Sequence, residues 1–231
     1  MKIVIINGSP RKNGATAKIL HEISRNLSLY NDTDIEYIDL SELELAFCKG
    51  CCQCYQLGKC IMEDDIEMLS NKIAEAAGIV IGSPVYASNV PAQLKLLIDR
   101  GHFVIEQLLK NKATFAIVTH ENKGASTALR VLKNLFLFSG STSTVNLRVK
   151  KLFNADPLKD KKLLNKIQNK SQYFYLAIKT GQESLFGKLL QSIIFNTGIK
   201  PFVLRNQGRY QGVLKRWAER GINYTSLLSK P

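Results

Sequence analysis

Short apolar runs alternate with amphipathic stretches along this chain, and the alternation predicts most of its elements. Ile3–Asn7 is a continuous β-branched run stopped by Gly8-Ser9-Pro10, the pattern of a strand buried on both faces and then a loop. Residues 14–29 follow with Ala15, Ile19, Ile23 and Leu27 four apart, which is one face of a helix. Ile35–Leu40 reads as a second strand, and residues 45–62 as an irregular insertion after it. Asp64 and Asp65 stand where acidic caps favour a helix running to about Ala76. Gly78–Gly82 is a third buried strand, followed by a helix over residues 90–109 with Pro91 tolerated in its first turn. Ala113–Thr119 is a fourth strand, residues 124–138 a helix stopped by Gly140, and Ser143–Val149 a fifth strand. Asp156-Pro157 opens a last long helix to about Lys179, ended by Gly181.

Strands alternating with helices imply an α/β fold, a doubly wound five-stranded parallel sheet with helices on both faces. Residues 182–231 leave that alternation and read as two helices, 183–196 and 209–220, joined by Gly198-Ile199-Lys200-Pro201. The expected organisation is a domain over residues 1–180, carrying the insertion 45–62, and a helical extension over 181–231. The extension suits a lid or a subunit contact. Trp217, Tyr210 and Phe202 within it are expected to pack on the core.

Composition sets limits on this picture. The chain has 231 residues, 45% hydrophobic and 22% charged, enough for one α/β core with a subdomain. No run of eighteen apolar residues occurs, so no membrane span is expected. Met1–Asn7 is too short for a signal sequence and is read as a strand, which makes a cytoplasmic location the expectation, with thiols reduced or metal-bound. The net charge is +13, with clusters over residues 148–170 and 200–220. No interleaved aromatic motif accompanies it, so the charge is read as solvated helix faces and not as a nucleic-acid site.

All five cysteines, Cys48, Cys51, Cys52, Cys54 and Cys60, fall inside the insertion. Four of them form C-x2-C-x2-C-x5-C: Cys48, Cys51, Cys54 and Cys60. Such density points to thiolates around a metal centre or to a redox disulfide. An iron–sulfur cluster is favoured first and zinc second, since four thiolates suit either. Cys52 is left over and could equally be a buried apolar residue.

Ligands of open α/β sheets sit at the carboxyl ends of strands, so the loops there carry the remaining chemistry. After the first strand comes Gly8-Ser9-Pro10-Arg11-Lys12-Asn13-Gly14-Ala15-Thr16. Ser9 and Thr16 supply hydroxyls, Gly8 and Gly14 permit close backbone approach, and Arg11 and Lys12 add charge. The helix that follows offers free N–H groups and its positive dipole end, a cradle for phosphate. Neither a Walker loop nor G-x-G-x-x-G is present. After the third strand, Ser83, Pro84, Val85, Tyr86 and Asn89 offer a stiff loop, an aromatic face and an amide, suited to a planar heterocycle. After the fourth, Thr119 begins a polar run through Gly124 in which His120 is read as an exposed loop histidine.

These residues resemble the flavodoxin-like NAD(P)H-dependent FMN reductase family over roughly residues 1–150. Gly8-Ser9-Pro10-Arg11 with Gly14 and Thr16 is similar to its FMN-phosphate loop. Gly82-Ser83-Pro84-Val85-Tyr86 is similar to its isoalloxazine loop, and Leu94, Lys95, Ile98, Asp99 and Arg100 to the helix that follows. The cysteine spacing ahead of Asp64-Asp65 resembles the iron–sulfur flavoprotein branch, which carries a [4Fe-4S] cluster. The resemblance implies FMN bound by Ser9, Arg11, Gly14, Thr16, Ser83, Pro84, Val85, Tyr86, Asn89 and Thr119, with cluster ligands Cys48, Cys51, Cys54 and Cys60. It also implies NADH or NADPH as donor, and a homo-oligomer, dimer or tetramer, completing the flavin site. Two features depart from the family: the third loop lacks its glycine-rich run, and Cys52 is extra. Three functions follow as alternatives: an FMN oxidoreductase passing electrons from a nicotinamide or protein donor through a cluster; a flavin-only NAD(P)H:quinone or FMN reductase; and a redox carrier or sensor docking an acidic redox protein through its basic surface.

Overall fold

The computed structural model describes residues 1–224. The last seven residues of the expected extension lie outside them. The strands are β1 (Lys2–Asn7), β2 (Asp34–Asp39), β3 (Gly78–Pro84), β4 (Ala113–His120) and β5 (Ser143–Lys150). They form one parallel sheet in the order β2-β1-β3-β4-β5, as the alternation predicts. The helices packed on it are α1 (Ala15–Leu27), α3 (Ile66–Glu75), α4 (Ala92–Arg100), α5 (Ala125–Phe138) and α6 (Lys161–Thr180). Between β2 and α3 lies the short helix α2 (Gln53–Leu57), so the insertion is not wholly irregular.

Why the strands read as unbroken apolar runs is plain from the layers. Val4, Ile6, Ile79, Ile81, Ala116 and Val118 face one way, into a core shared with α3, α4 and α5. Their neighbours Ile3, Ile5, Val80, Phe115, Ile117, Val145 and Leu147 face the other, against α1 and α6. Both faces of the central strands β1, β3 and β4 are dry, so period-two alternation disappears there, whereas edge strand β5 keeps it, with Val145, Leu147 and Val149 buried and Arg148 and Lys150 exposed. Each large apolar side chain withdrawn from water contributes about 1.5–3 kcal/mol.

Two helix boundaries differ from the sequence expectation. The helix foreseen over 90–109 ends at Arg100, and residues 101–112 continue as turns with His102, Gln107 and Asn111 in the left-handed region. Phe103, Leu108 and Leu109 are buried, so their insertion into the core overrides the helical period. The helix foreseen from Asp156 starts instead at Lys161, where Asp160 Oδ1 accepts from Leu163 N at 3.1 Å; Asp156 caps a separate 3₁₀ turn, Pro157–Lys159. Asp64 and Asp65 open α3 as expected: Asp65 is its N-cap residue, and Asp64 Oδ1 accepts from Ile66 N at 3.2 Å. Asp65 Oδ2 accepts from Glu44 N at 2.7 Å, and Asp64 is held mainly by Arg100.

The extension holds α7 (Leu185–Ile193), a π-helical turn (Ile194–Ile199), α8 (Lys200–Arg205) and α9 (Gln211–Glu219). Gly198–Pro201 is therefore not a linker. The wide turn accommodates Pro201, which cannot donate an N–H, without breaking the helix. Trp217 and Tyr210 are buried, as expected, but in a third cluster of their own with Phe195, Val203 and Val213, not in the main core. Phe202 is 51% exposed, against expectation. The cluster also takes in Tyr55 of the cysteine insertion, stacked on Tyr210 with ring centroids 5.0 Å apart.

Helix α9 thus straps the insertion to the fold. Arg216 Nε donates to Gly58 O at 2.9 Å, and Trp217 Nε1 to Ile105 O at 2.9 Å. A Cβ at Gly212 would overlap the backbone nitrogen of Gly58. Helix propensity alone favours alanine over glycine. Close backbone approach reverses the sign here: Gly212→Ala is expected to destabilise by about 1–3 kcal/mol in equilibrium denaturation. Unchanged or raised stability would show that α9 does not grip the insertion this tightly.

Candidate functional site

The loops after β1, β3 and β4 converge on a cleft of about 160 Å³ at the carboxyl end of the sheet. Asn7 ends β1 and anchors the first loop: its Nδ2 donates to Asp39 Oδ2 at 3.1 Å, and its Oδ1 accepts from Ser9 N at 3.1 Å. Ser9 Oγ then accepts from Arg11 N at 3.1 Å, folding the loop back on itself. Gly8 N donates to Gly82 O at 2.8 Å, and a Cβ at Gly8 would lie 2.9 Å from that oxygen, so only glycine allows the contact. Gly14 stands at the N-cap of α1 in extended backbone, and no side chain caps the helix. Its first N–H groups and dipole are free to meet an anion.

Opposite them, Val85 N donates to Thr119 O at 2.9 Å, fastening the second loop to β4. Tyr86 and Asn89 exchange backbone hydrogen bonds of 2.9 and 2.8 Å around Ala87 and Ser88, both in the left-handed region with φ of 47° and 61°. Glycine or asparagine usually fills such a turn, so Ala87 and Ser88 are strained. Gly124 supports it from beneath, at φ 93°, where a Cβ would come 2.7 Å from Ser88 Cα. The turn presents Tyr86, 45% exposed, to the cleft. Thr16 and Thr119 close the floor, their hydroxyls 2.7 Å apart and buried.

The cleft therefore gathers Ser9, Arg11, Gly14, Thr16, Pro84, Val85, Tyr86 and Thr119 from the expected set. It does not gather the other two. Ser83 is fully buried and its Oγ donates to Pro84 O at 2.8 Å; Asn89 Oδ1 accepts from Val90 N at 2.8 Å and shapes the turn. Lys12 is drawn aside by Glu42, at 2.6 Å. Sequence reading missed Lys151, Leu152 and Phe153, which follow β5 and form another wall. The Arg11 guanidinium lies 4.1 Å over the Phe153 ring. A basic-apolar-aromatic triplet just past a strand's carboxyl end was the signal available.

A second cavity, about 350 Å³, is lined by all five cysteines together with Tyr55, Arg100, His102 and Phe103. Gly50, Cys52 and Gly58 all take left-handed backbone, which curls the loop tightly. Gly50 N donates to Cys48 Sγ at 3.5 Å, and Cys52 Sγ donates to Gly50 O at 3.5 Å. Arg100, buried, donates from Nη2 to Cys60 Sγ at 3.2 Å and to Asp64 Oδ1 at 3.0 Å, and from Nη1 to Ala46 O at 2.9 Å and to Asp64 Oδ2. Burial pushes the Cys60 thiol up, but the Met62 N–H and the Arg100 guanidinium outweigh it and lower its pKa. Burial likewise opposes ionisation of Asp64, yet Arg100 and the N–H groups of Ala46 and Ile66 hold it below the usual carboxylate range. Burial disfavours charge on His102, while hydrogen bonds to Cys54 and Glu106 prevail and raise it to about 10.

The thiols are free of disulfides. Among the described residues, no three His, Cys, Asp or Glu side chains converge closely enough to hold a metal ion as they stand. The donor set itself is all sulfur, reduced and set beside cationic Arg100, which suits thiolate ligation of an iron–sulfur cluster.

Residues 1–149 match the NADPH-dependent FMN reductase family. The chain belongs to that family. It is 37% identical over 225 residues to an iron–sulfur flavoprotein of Clostridioides difficile, covering 96% of this chain and 100% of that one. It is 39% identical over 140 residues to an iron–sulfur flavoprotein of Methanocaldococcus jannaschii, covering 59% of this chain and 72% of the relative. These likenesses put it in the iron–sulfur flavoprotein branch, among FMN-dependent oxidoreductases. The flavodoxin-like fold is shared with an apo NADH:FMN oxidoreductase, TM-score 0.61, 19% identity, over 76% of this chain and 89% of that one. An azoreductase of Bacillus anthracis shares it too, TM-score 0.60, 15% identity, over 78% of this chain and 99% of that one. No helix among the described residues of this flavoprotein is long and apolar enough to cross a membrane.

The paired hydroxyls in the floor of the cleft make one expectation concrete. Thr119→Val leaves Thr16 Oγ1 buried without its partner and is expected to cost about 1–3 kcal/mol of stability. Thr119→Ser keeps the hydroxyl and should lose much less. Equal losses in the two variants, read by urea denaturation, would show that the bond contributes nothing.

Proposed function

We propose that this flavoprotein oxidises NADH or NADPH with FMN held in the cleft and passes electrons to an acceptor with the help of a [4Fe-4S] cluster held by Cys48, Cys51, Cys54 and Cys60. The observation that carries the flavin assignment is the uncapped N-terminus of α1, opening on the same cleft as Tyr86 and Thr119. Ser9, Gly14 and Thr16 would surround the phosphate, with Arg11 adding charge. Pro84, Val85 and Tyr86 would bound one side of the ring, and Phe153 the other. Bound FMN supplies two-electron acceptance from a nicotinamide and one-electron release. The residues' part is to orient it and to exclude water.

The cleft is smaller than the roughly 300–1,000 Å³ of an ordinary ligand pocket. Leu152 and Phe153 at its rim are 69% and 63% exposed. Both facts support a second subunit completing the flavin site, in a homodimer or tetramer. The cluster assignment rests on the four-thiol spacing inside one cavity, with Cys52 spending its thiol proton on Gly50 O. A cluster there would supply one-electron storage. The acceptor is a small molecule or an acidic redox protein, which the net charge of +13 would attract.

Two experiments test this. Gly14→Asp puts a carboxylate at the N-cap, where it can bond the free N–H groups and repel phosphate. The backbone there, φ −75° and ψ 173°, accepts a side chain, although Arg11 Cβ at 3.1 Å must shift slightly. FMN affinity should fall more than about tenfold, roughly 1.4 kcal/mol, while the apoprotein melts no lower. Undiminished FMN binding would remove the phosphate cradle from α1.

Protein purified without oxygen should contain iron and sulfide, with broad absorption beneath the flavin bands. Cys51→Ser with Cys54→Ser should lose the iron and keep the flavin. A flavin-only spectrum with all five thiols titratable would leave the flavin-only reductase as the reading.

A further inference from the structure

The family resemblance gives Arg100 no role, yet its side chain is the most heavily engaged polar group in the cysteine cavity. It is 1% exposed and sits at the last position of α4. Its Nη1 bonds Ala46 O, just before the cysteines, and its Nη2 bonds Cys60 Sγ, the last of them. Asp64, just beyond, accepts from both nitrogens. One guanidinium thus ties the two ends of the cysteine loop to each other and to the main fold. Arginine's planar fork can do this; a lysine ammonium, a point charge on a flexible stem, cannot hold all of these acceptors in one plane. Its Nε–H is buried and has no acceptor. Buried donors are rarely left so without a reason.

We infer that Arg100 is a positioning residue for the cluster: it clamps the loop closed through Ala46 and Asp64, orients Cys60 for ligation, and donates N–H···S bonds that raise the cluster's reduction potential, with Nε–H in reserve for a sulfur of the bound cluster. The inference rests on the cluster reading above. Outer hydrogen bonds of this kind orient ligands and tune metal centres, and bonds to sulfur help set iron–sulfur potentials. Asp64 is the clamp's anchor, because it keeps the buried cation neutralised and fixed.

Arg100→Lys, Arg100→Met and Asp64→Asn are to be compared with the wild type, all purified without oxygen. Flavin content should be unchanged in every variant, since the flavin cleft lies on other loops. Loss of iron to a chelator should be about 10–100-fold faster in both Arg100 variants, and less accelerated in Asp64→Asn. The cluster potential of Arg100→Lys should shift to more negative values, although the charge is kept. In cluster-free protein, trypsin should cut after Lys49 and Lys59 several-fold sooner in the variants than in the wild type. Wild-type protein without iron would defeat the cluster reading, and the clamp would then stand or fall on the tryptic rates alone. Arg100→Lys protein with wild-type iron retention, potential and tryptic rates would overturn the inference.

Discussion

Everything at the carboxyl end of this sheet depends on how closely β1 and β3 can approach. The hydrogen bond from Gly8 N to Gly82 O carries the β1–β3 pairing one residue past the end of β1. It forms only because neither position has a Cβ: at Gly8 one would meet Gly82 O and Leu94, and at Gly82 one would meet Leu20 at 2.6 Å. The strand order reverses at this pair, β1 leading outward to β2 and β3 to β4. Crossovers leave the switch point on opposite faces and open a crevice there. The uncapped end of α1 and the strained Tyr86 turn meet across that crevice because the two backbones beneath them touch.

The cysteine loop has no comparable foundation of its own. Its only helix is five residues long and buries no side chain. A segment of this size cannot enclose a core, and such pieces depend on a metal or on borrowed contacts. Here the borrowed contacts come from two directions. Helix α9 grips Gly58 and stacks Tyr210 on Tyr55, while α4 ends in the guanidinium that holds Ala46, Cys60 and Asp64. Of the C-terminal helices, α9 therefore acts on the cysteines, while α7 leaves Leu185, Phe186 and Leu189 exposed, an apolar face that its own packing does not cover.

Much of the fold was legible in the sequence because the central strands are buried on both faces, edge strand β5 alternates, and the helices carry one apolar face each. Ile3–Asn7, Ala113–Thr119 and Ser143–Val149 all lie within observed strands. Hidden were the places where tertiary packing overrides local preference. Residues 101–109 continue a helical pattern, but burying Phe103 and Leu108 requires the chain to turn, with His102 and Gln107 in left-handed backbone. Pro201 signals a break in any helix bonded i to i−4, and a π-helical turn absorbs it. Eight of ten expected flavin contacts line the cleft because they sit on loops whose positions the strand order dictates. Ser83 and Asn89 resemble ligand residues in composition, but their polar atoms satisfy the turn itself. Arg100 read as the end of a helix motif, and nothing in its spacing pointed toward Ala46 or Cys60.

Helix α4 relates the two sites to each other. It begins at Ala92, just after the Tyr86–Asn89 turn, and ends at Arg100 in the cysteine cavity. Nine residues at 1.5 Å each make a rod of about 13 Å. Leu94 and Leu97 are fully buried along it, so the rod is fixed against the sheet. A site carried on a packed helix is placed more accurately than one carried on a loop. The loop supplies sulfur at one end and a turn supplies an aromatic at the other. The distance between them is set by a helix that the core does not allow to move. That arrangement would suit electron transfer between the proposed flavin and cluster, and it places the buried cation on the fixed helix and not on the cysteine loop itself.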